Sequence, residues 1–281
     1  MNANLLTWEE AVQFLREQAD KQELVRDCYY DDPLEIAAER FSLSEEWLEV
    51  EYLLKKYIPG KVLDIGAGRG ISSYAFAKTG CTVTALEPDP SLLVGAGAIK
   101  SLVENTKLPI EVSQDYGETL PFKDNTFDIV YGRAILHHAQ DLKQLCREAS
   151  RVLKHGGIFI ATREHVISKK EDLQLFLESH SLHFLYGGEK AYLLSEYKQA
   201  IQETGFKLLR SIGPLESVIN YAPITKAQFK DSVISALARR LGRELASPLA
   251  FSKIIQQIYG QYASSKMNIP GRHYSFMAIK Q

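Results

Sequence analysis

The chain has 281 residues, 45% hydrophobic and 24% charged, enough apolar content to bury one large core with a small accessory region. Its formal net charge of -2 gives no overall attraction for nucleic acid or an anionic membrane, and the one short basic cluster, Arg239, Arg240 and Arg243, reads as a solvated helix face. Cys28, Cys81 and Cys146 form no CxxC pair and are odd in number, which argues against a disulfide frame or a structural zinc site and fits a reducing compartment. No charged-then-apolar leader and no membrane-length apolar run is present, so a cytoplasmic location is expected.

Thr7 and Glu10 form a capping-box pattern, and Ala11, Phe14 and Leu15 follow at helical spacing. Past the stretch DCYYDDP, Ser44 caps a second helix whose Trp47, Leu48 and Leu54 are expected to face a core, before Pro59 and Gly60 stop it. Residues 1–59 therefore read as a helical cap ahead of the first strand. From Lys61 strands and helices alternate, the sign of a parallel sheet covered on both faces. Strands are expected at Val62–Ile65, from Thr82, near Ile110, at Phe127–Gly132, at Ile158–Thr162, within FKLLRSI and at HYSFMAI. A helix after Asp141 carries Leu142, Leu145, Ala149, Val152 and Leu153 on one stripe. Residues 225–264 read as an insert of two amphipathic helices before the last strand, serving as a lid, a contact between two copies, or plain packing on the sheet.

The chemistry gathers at VLDIGAGRG, Val62 to Gly70, where an apolar strand ends in an acid and alternating glycines. Gly66, Gly68 and Gly70 let the backbone turn sharply against a ligand, at the position where doubly wound sheets bind. A dinucleotide fingerprint requires GxGxxG, but Ile71 follows Gly70, so NAD is disfavoured. Asp64 beside the loop suits an ammonium or sulfonium group better than a pyrophosphate. Glu87, about twenty residues on at the end of the second strand, is placed to accept both hydroxyls of a ribose. A nucleoside joined to a cationic amino-acid tail gives S-adenosylmethionine as the economical ligand.

VLDIGAGRG, ALEPDP, ETLPFKDNTFDIVYG, AILHH and REASRVLKHGGIFIAT, in that order, resemble the class I S-adenosylmethionine-dependent methyltransferases, and most of all their small-molecule branch of ubiquinone and menaquinone C-methyltransferases. The resemblance spans about Leu53 to Arg163. It implies an α/β, doubly wound, seven-stranded, mostly parallel sheet with an antiparallel last strand, forming one domain over residues 60–281. It also implies that Asp64, Gly66, Ala67 and Gly68 surround the methionine part, that Glu87 holds the ribose, and that Pro88 touches the adenine. The acid that holds the adenine amine in that family is displaced here, leaving Asp115, Tyr116 and Gly117 together as the adenine edge.

Residues just past the fourth strand face the methyl group in this architecture: Gly132 and Arg133, the latter grouped with the cofactor-binding residues, then Leu136, His137 and His138. Adjacent histidines on a turn point in different directions, so one of the two is expected to face the substrate, where a histidine could take a proton from a phenol, enol or amine. A metal held by His137, His138 and Asp141 lacks a second ligand set and is not expected. Arg163, Glu164, His165, Tyr29, Tyr30, Tyr186 and Tyr192 suggest a polar, aromatic-lined pocket, and Arg40 is placed to meet the cofactor carboxylate. No Asn/Asp-Pro-Pro-aromatic motif and no Pro-Cys pair occurs, so base amines and pyrimidine carbons recede as acceptors. The expectation is an enzyme moving a methyl group to a small molecule, with neither nucleic acid nor membrane as partner. The alternatives are a non-catalytic binding or regulatory protein of the same fold and an RNA methyltransferase.

Overall fold

Val62 and Leu63 point to opposite faces of β1 (Lys61–Ile65) and both are buried, so helices must cover the sheet on both sides. The computed structural model describes residues 5–180 and 182–281. β2 (Thr82–Leu86), β3 (Ile110–Ser113), β4 (Phe127–Arg133) and β5 (Leu153–Ile167) lie parallel to β1. A two-residue β6 (Tyr192–Leu193) pairs with β5, followed by β7 (Phe206–Ile212) and β8 (Arg272–Lys280). The sheet order is β3-β2-β1-β4-β5-β8-β7, and β8 runs antiparallel to both its neighbours. The seven expected strands are all present; β6 is too short to leave a pattern in sequence.

One face carries Leu63, Phe127 and Phe159 under the helix Leu142–Val152, which Asp141 caps through the Gln144 amide. On the other face Phe41, Trp47, Phe76 and Tyr131 form a run of edge-to-face and tilted rings, with centroids 4.7 to 5.8 Å apart along the chain of contacts. That run joins the N-terminal cap to the sheet. Trp47, 1% exposed, is its anchor, and truncating such a residue costs roughly 3–5 kcal/mol.

Thr7 and Glu10 close their capping box, and the Ser44 hydroxyl accepts from the Trp47 amide. Several expectations change. Leu48 is exposed, because Trp47, Val50 and Leu54 already fill the buried stripe of its helix, which ends at Leu54 rather than at Pro59. The stretch before Ser44 holds two further helices, Gln22–Asp27 and Leu34–Ser42. Leu153 leaves the stripe of the helix after Asp141, because that helix ends at Val152 and β5 starts at Leu153. The insert contains three helices, Lys226–Leu241, Arg243–Ala250 and Lys253–Lys266; Pro248 masked the middle one. No helix among the described residues is long and apolar enough to cross a membrane.

Candidate active site

Register brings three strand ends together: Ile65 lies opposite Leu86 on one side and Gly132 on the other. The loops that leave β1, β2 and β4 thus share the carboxyl edge where strand order reverses. Gly66, Gly68 and Gly70 have φ of +64, +56 and +82°, the left-handed region that glycine enters without strain. A Cβ on Gly66 would lie 2.3 Å from the Ile135 side chain, so the loop after β4 rests directly on the glycine turn. The Gly68 amide donates to the Glu87 carboxylate at 2.7 Å, and the Asp89 amide donates to its other oxygen at 3.0 Å. Asp64 accepts from the Ser73 hydroxyl at 2.6 Å.

Asp64 is 1% exposed and Glu87 9%, and neither has a cationic partner among the described residues. Burial pushes both carboxyls up to about 7, the Ser73 hydrogen bond and the backbone amides opposing only in part. Two buried, unpaired acids at one loop are costly unless a ligand supplies hydrogen-bond donors and positive charge. Ala67 lies within the same turn, and Pro88 directly follows Glu87. Asp115 accepts from the Ser113 hydroxyl, Tyr116 is exposed, and Gly117 packs on β1, where a Cβ would meet Ile65 at 3.3 Å.

Arg133 turns to the helical cap instead of the glycine loop. It donates to both oxygens of Glu46, at 2.7 and 3.1 Å, and Glu46 is 3% exposed. Burial alone would raise the Glu46 carboxyl, but Arg133 and Arg163 outweigh it and hold it below the usual range. These three residues line a cleft of about 460 Å³ together with Arg26, Tyr29 and Arg40. Arg40 itself is bound by Asp31 at 2.8 and 2.6 Å. Glu46 was invisible as a site residue in sequence, since it reads as one acid among several on a capped helix.

On the other side of the β4 loop, a register shift in β5 between Ala161 and Glu164 turns Glu164 inward, and Arg163 takes φ +60°. Glu164 accepts from the amides of Ile135, Leu136 and His137 at 3.1 to 3.2 Å and from His137 Nδ1 at 2.7 Å. The short 3-10 turn Leu136–His138 is thereby fixed by one carboxylate from the neighbouring strand. His137 is 1% exposed, and burial holds its imidazole well below the usual pKa. His138 is half-buried and meets the Gly188 carbonyl through Nδ1 at 3.3 Å. The two histidines therefore have different surroundings, as neighbours on a tight turn must. Asp141 caps its helix and takes no part in a His137–His138 pair.

Residues 63–161 match the family model described as a methyltransferase domain. An uncharacterized protein of Methanocaldococcus jannaschii is 30% identical over 163 residues, covering 56% of this chain and 70% of that one. The chain belongs to the class I S-adenosylmethionine-dependent methyltransferases. A ubiquinone biosynthesis O-methyltransferase of Methylobacterium nodulans is 26% identical over 156 residues, covering 54% of this methyltransferase and 61% of that enzyme. An uncharacterized methyltransferase of Bacillus subtilis is matched over only 39% of its length. A putative sarcosine dimethylglycine methyltransferase from Galdieria sulphuraria shares the fold, with TM-score 0.55 and 21% identity over 89% of this chain and 88% of that one.

The family's cofactor is S-adenosylmethionine, and the residues present fit it. Once ionised, Asp64 and Glu87 supply buried negative charge and acceptors but no donors, matching a ligand with an ammonium, a sulfonium and ribose hydroxyls. Gly68 leaves open space, with Val94 O, at 4.0 Å, the nearest atom to a Cβ built there.

Proposed function

We propose that this methyltransferase binds S-adenosylmethionine at the glycine loop and delivers its methyl group to a small-molecule acceptor. The observation that carries the reading is the pair of buried, cation-free carboxylates, Asp64 and Glu87, set beside three glycines with positive φ. When bound, the cofactor would supply a methyl group already activated by its sulfonium. Asp64, Gly66, Ala67 and Gly68 hold the amino-acid part, Glu87 orients the ribose, Pro88 and Asp115 to Gly117 border the adenine, and Arg133 bounds the site from the cap side. Fixing two reactants in line supplies roughly 7–11 kcal/mol of the barrier, so the residues act chiefly by positioning. Where the acceptor arrives protonated, His138, half-buried, is the member of the histidine pair within a substrate's reach, since His137 is 1% exposed.

A small acceptor is supported by the size of the cleft at the cap, about 460 Å³, and by the ubiquinone O-methyltransferase among the relatives. Calorimetry with S-adenosylmethionine and its demethylated product tests the cofactor half; wild-type protein binding neither would end the proposal. Methyl-labelled cofactor offered with a metabolite extract and, separately, with total RNA tests the acceptor half. Label in a small molecule supports the reading and label in RNA overturns it. Ile254, Ile258 and Tyr262 stay exposed on the insert helix Lys253–Lys266, which supports a contact between two copies through residues 225–264. Sedimentation velocity showing only monomer at high concentration rejects that contact.

A further inference from the structure

Beside the His137 turn lies a partly buried group of imidazoles and one buried carboxylate that methyl transfer does not use. His137 Nε2 is 3.7 Å from Glu189 Oε2, and His180 Nε2 is 3.9 Å from the same oxygen. That oxygen is fully enclosed and has no hydrogen-bond partner among the described residues, while Glu189 Oε1 accepts from the Tyr186 hydroxyl. An ionised Glu164, already accepting three amides, accepts from His137 Nδ1 as well, and in that tautomer Nε2 carries the lone pair. His165 repeats the arrangement. Its Nδ1 lies 2.8 Å from the Gly271 carbonyl, which can only accept, so its Nε2 is bare as well. His137, His165 and Glu189 each offer one ligand atom, and these three atoms all lie within 4.8 Å of one another.

Lone pairs facing lone pairs in a buried pocket repel unless a cation stands between them. We propose that His137, His165 and Glu189 bind a divalent transition-metal cation of the zinc type, with His180 beside the same carboxylate oxygen as a further donor. Two nitrogens and a carboxylate oxygen are a common zinc donor set. Some point lies within about 2.8 Å of three atoms so spaced, so reaching zinc bonds of about 2.0–2.1 Å needs only sub-ångström shifts of side chains. The outer partners are those metal-binding histidines use: a carboxylate on His137 Nδ1 and a backbone carbonyl on His165 Nδ1. The ligands come from the turn after β4, from β5 and from the segment before β6. An ion would therefore pin that segment to the sheet edge. The sequence offered only His137, His138 and Asp141 as a set; His165 and Glu189 join through the bulge in β5 and the chain's return toward β6.

The test uses the full chain after dialysis against a chelator, with zinc as the probe, and is independent of the methyl-transfer reading. Zinc uptake is expected at about one equivalent, and Glu189→Gln and His165→Asn are each expected to weaken it at least about tenfold. Long-range proton–nitrogen spectra of the unmutated protein should show the Nε2 resonances of His137 and His165 shifting on zinc addition. Folded wild-type protein that takes up no zinc, or imidazole resonances that do not move, overturns the proposal, as does unchanged zinc affinity in both folded variants. Calorimetry with S-adenosylmethionine on the metal-free protein separates this result from the fate of the cofactor assignment.

Discussion

Glu87 closes the glycine turn from the neighbouring strand: its carboxylate accepts the Gly68 amide at 2.7 Å while sitting in the position expected to receive the ribose hydroxyls. One acid thus both shapes the loop and faces the ligand. Hydrogen bonds to charged groups contribute roughly 1.5–3 kcal/mol, so Glu87→Gln should weaken S-adenosylmethionine binding by about tenfold to a hundredfold. Titration calorimetry at pH 8 measures this, and affinity equal to wild type would remove Glu87 from the site.

Asp64 and Glu87 give the protein a defined pH response. Burial raises their carboxyls from 3.8 and 4.5 to about 7 in the folded state, so the folded chain binds more protons than the unfolded chain across that interval. Stability therefore falls as pH rises from about 4 to about 7 through these groups and levels off above. A cationic ligand favours the ionised acids, so affinity for S-adenosylmethionine should rise over the upper part of the same window with proton release. Melting temperature against pH, compared with Asp64→Asn, checks the first part; identical slopes in the two proteins would refute it. Calorimetry in buffers of different ionisation enthalpy checks the second.

Glu46 holds the helical cap to the sheet through Arg133. Removing one member of a buried pair strands the other, at a cost of roughly 3–5 kcal/mol. Glu46→Ala should lose about that much in urea unfolding. Adding Arg133→Ala should cost far less than the sum of the single losses, because the second substitution removes the stranded charge. Additive losses would mean that the two groups act independently.

Gly66→Ala should be severe for two separate reasons. Its φ of +64° disfavours any Cβ, and the new methyl would sit 2.3 Å from Ile135. Ile135→Ala in the same background should relieve the collision and recover part of the stability, leaving the backbone strain. Failure of the second substitution to recover anything would show that Ile135 does not rest on the turn.

The sequence by itself determined the parallel sheet, the glycine turn and the acids at its lip, because these are local. Apolar runs make strands, glycines with free φ make the turn, and Asp64 and Glu87 lie within one βαβ unit. Thr7 and Ser44 were legible as caps for the same reason, since each bonds within one helical turn. Tertiary structure alone decided the partners of Arg133, His137 and Glu164. Glu46 is 87 residues from Arg133, and Glu164 is 27 from His137, separations at which no periodicity links one residue to another. The bulge that aims Glu164 inward and the return that carries Glu189 to His137 depend on how strands pair. Sequence pattern is local, whereas the burial that leaves a carboxylate without a partner is set by everything packed around it.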